Sequence, residues 1–284
     1  IGLTVVTNLL GLAFAIVLAR RILAADAGSA GLRRLDGAVK RAVDVQLWRT
    51  FRAAGAIAGV GLSVALAGPG LQLLGVAPAP SLADTLFTAL GFSVGVSTAC
   101  LTALVGAQLA RAGTVRAVAA ARRDTGSAIA VLLRSTGAAA LFASTTAVLA
   151  NLGLFVLVFA VDGGFSSTGD ATRSASRAAL LVAPTAFGSG AAALLIERTG
   201  SVYRAAAAVA TEMAGEATGA IGHDDARNPA LIAELVGSHL GRTAVRVLDL
   251  HVAVAVAGAI QAPLSVALYT ATGTVGLALL PVVV

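Results

Sequence analysis

The chain is 284 residues long, 57% apolar with a mean hydropathy of +0.90, and only 12% charged, against about 25% charged residues in an ordinary soluble domain. This excludes a water-soluble globular protein and predicts an integral membrane protein. The net charge of +6 is spread over several connections without interleaved aromatic residues for base stacking, so nucleic acid is not an expected partner, and the lone Cys100 leaves no disulfide framework or cysteine metal site.

In chain order, six stretches have the roughly 20 apolar residues needed to cross a bilayer core: Leu3 to Ala19, Ala53 to Val76, Leu86 to Ala110, Thr136 to Val161, Ala179 to Ile196 and Leu250 to Thr270. A seventh starts near Gly273 and runs to Val284. The expected fold is therefore all-α, a polytopic transmembrane helix bundle forming one membrane domain over residues 1–284. Leu3 to Ala19 is followed by Arg20-Arg21 and has no small-residue cleavage pattern, so it reads as a span and not a signal peptide. The opening at Ile1 and the interrupted seventh segment are those expected of a piece of a longer protein. Ala, Gly and Val fill the spans, which suits close helix packing, and nothing in the pattern predicts a strand.

The connections differ in charge. Arg20 to Arg52 carries eight basic residues, Ala77 to Thr85 none, Arg111 to Arg134 five, the next connection two (Arg173 and Arg177), and Arg198 to Arg246 five. Positive residues resist translocation. The alternation predicts an N-terminus outside and three cytoplasmic loops at about 20–52, 111–134 and 197–249, with a bacterial cytoplasmic membrane as the expected location. Of the 20 basic residues 19 are Arg, which reads as a codon bias of a GC-rich genome. In the first loop Leu35, Val39, Val43 and Leu47 recur at spacing four, so the loops are expected to extend the spans as helices.

The third loop is the most informative. Asp224-Asp225-Ala226-Arg227-Asn228-Pro229 is a turn suited to opening a helix, and that helix carries Glu234, Ser238 and Arg242 at i, i+4 and i+8, on one face. On the preceding helix Ala205, Ala208, Glu212 and Glu216 fall on or near one face. The bare residues admit bland readings: Glu212 and Glu216 as a solvated face, and Asp224, Asp225 and Arg227 as turn and ion-pair residues. His223, His239 and His251 are too widely spaced for a metal helix motif and are assigned loop or packing roles. Asp249, at the membrane boundary, is the better functional candidate, because ionisable groups in spans mark ion pathways; pairing with Arg246 or Arg242 is the alternative.

The segment Tyr203 to Asp249 resembles the catalytic loop of membrane-integral, ion-translocating pyrophosphatases. In that family an aromatic residue precedes a helix of the form KxxDxGxDLVGK, then a DDPRNP turn and a helix of the form DNVGDNVGD. Asp224-Asp225 and Arg227-Asn228-Pro229 fall in register with the turn, and Asp249 with the acidic residue that opens the next span. Ala25-Asp26-Ala27-Gly28, Thr114-Val115-Arg116-Ala117 and Phe187-Gly188-Ser189-Gly190 are similar too. The resemblance covers nearly the whole chain, but only the first half of a family member.

The resemblance implies pyrophosphate as substrate, magnesium as cofactor, proton or sodium translocation across the lipid bilayer, and a homodimer. Magnesium takes hard oxygen ligands and neutralises the charge developing on phosphate oxygens, so the family needs carboxylates at i, i+4 and i+8. Here the corresponding positions are changed. The pyrophosphate-binding lysine position is Ala205, the first aspartate Ala208, the second Glu212 and the closing lysine Glu216; the next helix offers Glu234, Ser238 and Arg242. Glu212 and Glu234 remain as residual metal candidates, Asp224 and Asp225 as weaker ones, and Arg227 as a substrate contact. Asp249 and Arg198, near the family's gating arginine, are the ion-pathway candidates. Arg242 decides the reading. A guanidinium cannot ligate a metal, and one misplaced unit charge about 4 Å from a dication is worth roughly 8 kcal/mol at an effective dielectric near 20. The expectation is a family member without pyrophosphate hydrolysis of its own; the alternative is a non-catalytic membrane scaffold or an anion-binding protein.

Overall fold

The computed structural model describes residues 2–73, 81–166, 170–218, 234, 242 and 244–273. Among them every regular element is a helix: α1 Gly2–Ala24, α2 Ala30–Leu73, α3 Leu82–Ala121, α4 Thr125–Val161, α5 Ala171–Leu180, α6 Ala183–Thr218 and α7 Val245–Thr272. This is the all-α membrane bundle expected. Five segments are long and apolar enough to cross a membrane: α1, α3, α4, α5 with α6, and α7. The expected span Ala53 to Val76 falls on the second half of α2 as far as Leu73, and the expected segment beyond Gly273 lies outside the described residues.

Short polar residues set the boundaries. Backbone N–H groups in a first helical turn have no partner inside the helix, and Ser or Asp at the N-cap supplies one. Ser81 accepts from the Asp84 N–H at 3.1 Å, Asp124 from Ser127 at 2.7 Å, and Asp170 from Thr172 and Arg173 at 3.1 and 3.0 Å. Between α1 and α2, Gly28 takes φ +80, a left-handed value that side chains disfavour, and its N–H is held by Asp26 at 2.8 Å. At the far end of α7, Gly273 (φ +66) returns its N–H to the Tyr269 carbonyl. Pro184 sits in the first turn of α6, where its missing N–H costs nothing.

The helices pack around α3, which contacts α1, α2, α4, α6 and α7. The expected extension of spans into the loops is observed. α2 is 44 residues long and buries Val39, Val43 and Leu47 of the spaced-by-four set against Ala107 of α3 and Ala244 at the foot of α7. The interior is built from small residues: Ala99 and Ala103 of α3, Ala138, Ala139 and Ala143 of α4, and Ala192 of α6 are each 2% exposed or less. Large side chains such as Phe14, Leu133, Leu157 and Ile260 face outward, as a lipid-exposed surface requires, because only apolar groups avoid a desolvation cost there.

Small residues permit close crossings, and the tightest is between α3 and α6. A Cβ on Gly95 would stand 2.1 Å from the Thr185 carbonyl oxygen, and one on Gly188 2.1 Å from that of Phe92. Both glycines are needed for the two backbones to touch. The Arg-rich connections between α1 and α2, and between α3 and α4, meet at one end of the bundle, where Arg116 of α3 donates to the carbonyls of Leu23 and Ala25 at 2.8 and 3.1 Å.

Candidate functional site

The described residues of the third polar segment lie on the far half of α6 and the foot of α7. On α6 Ala205 and Glu212 are exposed and Ala208 is half-buried, while Ala207 and Thr211 turn inward. Arg198 is exposed on the same helix, and Glu234 is half-buried. Arg242 is exposed, and Asp249 is paired with Arg246 at 3.7 Å with side chains 51% and 86% exposed; such a pair contributes little in a screened setting. Of the two partners expected for Asp249, the structure supplies Arg246. Asp224, Asp225, Arg227 and Ser238 lie outside the described residues.

A magnesium site would need several carboxylate oxygens converging. Among the described residues no three His, Cys, Asp or Glu side chains do so. At the positions where the family resemblance implies a cation and a carboxylate, the side chains are the methyl groups of Ala205 and Ala208, and where it implies a further carboxylate the residue is Arg242. The described residues do not fit a magnesium ion.

A second polar group joins α2 and α3 at the same end. Arg111, 9% exposed, donates to Asp36 and, through Nε, to Gln108 Oε1 at 3.3 Å; Gln108 Nε2 then donates to Asp44 at 2.6 Å. This chain of donors and acceptors satisfies a nearly buried guanidinium. Close by, a cavity of about 250 Å³ is lined by Asp26, Arg116, Arg123, Ser127 and Arg134 with alanines between. Arg123 approaches the one carboxylate there, Asp26, at 3.7 Å with both side chains well exposed, while the Arg116 guanidinium donates to the carbonyls of Leu23, Ala25 and Ala112. At the opposite end Arg177 of α5 bridges Asp84 of α3, at 2.7 Å, and Asp162 at the end of α4, with its guanidinium 5.9 Å from the Phe87 ring centroid. It ties three helices together.

The third polar group lies inside the bundle, where α3, α4, α6 and α7 meet. His251 is 0% exposed. Its Nδ1 is 3.1 Å from the Ala143 carbonyl oxygen and 3.2 Å from Thr102 Oγ1; its Nε2 is 3.3 Å from Thr98 Oγ1 and 3.4 Å from Ser189 Oγ. Thr102 continues to Thr146 Oγ1 at 3.4 Å. Farther along α4, buried Asn151 donates to the Ala255 carbonyl at 2.9 Å, leaving its Oδ1 without a protein partner. The glycine crossing builds this centre: by letting α6 touch α3, it brings Ser189 to the Gly95 carbonyl at 3.1 Å and to the imidazole.

The sequence reading gave His251 a packing role and looked to Asp249 instead. The rule that ionisable groups within spans mark function points equally to an imidazole inside Leu250 to Thr270, two residues beyond Asp249. What the sequence could not supply was that three hydroxyls from two other helices face it.

Against known proteins, the family model for inorganic H+ pyrophosphatase matches residues 9–284. A K(+)-insensitive pyrophosphate-energized proton pump 2 of Moorella thermoacetica is 30% identical over 243 residues, which are 86% of this chain and 32% of that protein. The K(+)-insensitive pyrophosphate-energized proton pump of Caldanaerobacter subterraneus subsp. tengcongensis is 27% identical over 90% of this chain and 35% of its own length. Pyrophosphate-energized membrane proton pump 3 of Arabidopsis thaliana is 29% identical over 59% of this chain and 21% of its own length. The chain thus spans between about a fifth and a third of these relatives. A match over nearly every residue, on a bundle of long apolar helices, establishes that this chain belongs to the inorganic H+ pyrophosphatase family of membrane proteins.

Proposed function

We propose that this chain is a membrane-embedded member of the family whose own residues do not hydrolyse pyrophosphate, although its relatives are named as pyrophosphate-energised proton pumps. One observation carries the reading. Arg242 stands exposed at the foot of α7, at the position where the family resemblance calls for a magnesium-ligating aspartate. Its charge cannot be removed at any physiological pH and a guanidinium cannot ligate a metal, so it opposes a dication with a charge equal in size to that of either residual carboxylate, Glu212 or Glu234. Ala205 removes the lysine that would face the diphosphate. In this reading Asp249 and Arg198 mark the remains of the ion pathway, the Arg-rich end faces the cytoplasm, and two copies associate through small-residue helix faces.

The test is magnesium-dependent pyrophosphate hydrolysis by membranes carrying the chain, with Glu234→Ala and Asp249→Asn beside it. We expect no release of phosphate above empty membranes. Hydrolysis that disappears in the Glu234→Ala variant would overturn the reading, since it would mean that the remaining carboxylates still hold the metal.

The arginine-lined cavity favours a second reading, an anion-binding membrane protein, because guanidinium groups recognise phosphate oxygens without a metal. The same membranes distinguish it: phosphate or pyrophosphate binding in the presence of a chelator, weakened by Arg134→Ala, supports this reading, and a flat isotherm rules it out.

A further inference from the structure

The family assignment accounts for the helices and the loops but gives no task to His251. A histidine in a membrane interior that only fills space would be surrounded by hydrocarbon with one hydrogen bond to quiet its N–H. The environment here is different, and the difference lies in which partners still have a proton to give.

Thr98 Oγ1 donates to its own helix, to the carbonyls of Val94 and Gly95 at 2.9 and 3.1 Å. Ser189 Oγ donates to the Gly95 carbonyl at 3.1 Å. Both hydroxyls beside Nε2 therefore present lone pairs to it. On the other side the Ala143 carbonyl is an acceptor by nature, and Thr102 Oγ1 has Thr146 Oγ1 as an outlet for its proton, because Thr146 donates to the Phe142 carbonyl at 2.5 Å. Every group within hydrogen-bond distance of the ring is able to accept. A neutral imidazole has one N–H and one lone pair: in the Nδ1–H tautomer the Nε2 lone pair faces two hydroxyls whose protons go to carbonyls, and in the Nε2–H tautomer the Nδ1 lone pair faces the Ala143 carbonyl, with Thr102 alone placed to donate to it. A ring with protons on both nitrogens finds a partner for each.

We propose that His251 is a proton-holding site in the interior of the bundle, loaded and unloaded as the ring passes between its neutral and doubly protonated forms. Loading forms one N–H bond at the nitrogen that carries the lone pair, and unloading breaks one; no other reactant is needed. The groups facing the ring are neutral on every packed element: Thr98 and Thr102 on α3, Ala143 on α4 and Ser189 on α6. Among the described residues, no charged side chain of those elements stands within hydrogen-bond distance of the ring. Arg111 is held by Asp36, Arg134 and Arg198 are exposed, and Asp249 on α7 itself turns to Arg246. With no fixed anion beside it, the proton is not trapped as an ion pair, so the site suits transient occupancy. Asn151, one helical turn farther along the contact with α7, has a buried Oδ1 free to accept. It extends the polar line away from the Arg-rich end.

This site requires no pyrophosphate chemistry, so it stands or falls apart from the preceding section. The full chain, carrying His223→Gln and His239→Gln so that His251 is its single imidazole, is labelled with 15N-histidine in lipid bilayers and followed by NMR from about pH 8.5 to 4.5. We expect both ring nitrogens to convert to the imidazolium position within that range. Removing the acceptors in a Thr98→Val, Ser189→Ala variant is expected to weaken proton binding about tenfold or more, a midpoint at least about one pH unit lower. A ring that stays in one neutral tautomer across the whole range overturns the proposal, and so does a midpoint unmoved by loss of the two hydroxyls. A purely structural histidine would give one of those two results.

Discussion

At the scale of single residues, charges near the ends of this bundle do the work of shaping the chain. Asp124 is the clearest case. The Ser127 backbone N–H, assisted by the Ser127 hydroxyl, holds its carboxyl below the ordinary carboxylate range, because those hydrogen bonds favour the charged form. A depressed folded-state pKa stabilises the fold above the unfolded value of about 3.9 and is lost as pH falls through the folded value. Replacing Asp124 by Ala should therefore lower the melting temperature at pH 7. The gap between variant and parent should shrink as pH falls through and below about 4, which a thermal-shift series in detergent from neutral to acid pH would record. A gap unchanged with pH would show that the cap does not depend on charge. Ser81, Asp124 and Asp170 each stand immediately before a helix, ahead of the spans Leu86 to Ala110, Thr136 to Val161 and Ala179 to Ile196 that hydrophobicity marks, so these caps were not read from the sequence. Nor were the partners of Arg111 and Arg177, because Asp36, Asp84 and Asp162 lie on other elements and only the packing of α2 and α4 on α3, and of α5 on α4, brings them within reach.

At the scale of elements, the contact between α3 and α6 decides the interior. Membrane helices gain nothing from the hydrophobic effect against lipid and associate by close packing instead, so a crossing with backbone atoms in touch is the most sensitive point. Gly95→Ala places a methyl group where the Thr185 carbonyl stands. The helices must separate, and the expected loss is about 3 kcal/mol, at the upper end for overpacking, read as a lower melting temperature. Gly190→Ala on α6, where an added Cβ meets nothing within 4 Å, should leave the melting temperature close to that of the parent. Equal effects of the two substitutions would mean that the crossing is not tight. The glycines were visible in the sequence as packing residues. Which of them touch a backbone was not, since that depends on the rotation of each helix about its axis.

For the whole molecule, the alternation of basic connections and the bundle's architecture agree: the connections α1 to α2 and α3 to α4 meet at one end, and Arg177 with its two aspartates sits at the other. If the Arg-rich end is cytoplasmic, a membrane-impermeant maleimide applied to intact cells should label Ala171→Cys and spare Ala121→Cys until the cells are opened, both in a Cys100→Ala background. The reverse pattern would invert the topology. Hydrophobicity and charge are summed along the chain, so the sequence by itself determined the membrane class, the helices, the approximate spans and the family. The polar centre around His251 draws one side chain or carbonyl from each of several helices that are distant in sequence, and its character depends on which hydroxyls have already spent their protons. Only tertiary structure fixes those distances, and so only it decided that an imidazole read as packing stands among acceptors inside a membrane.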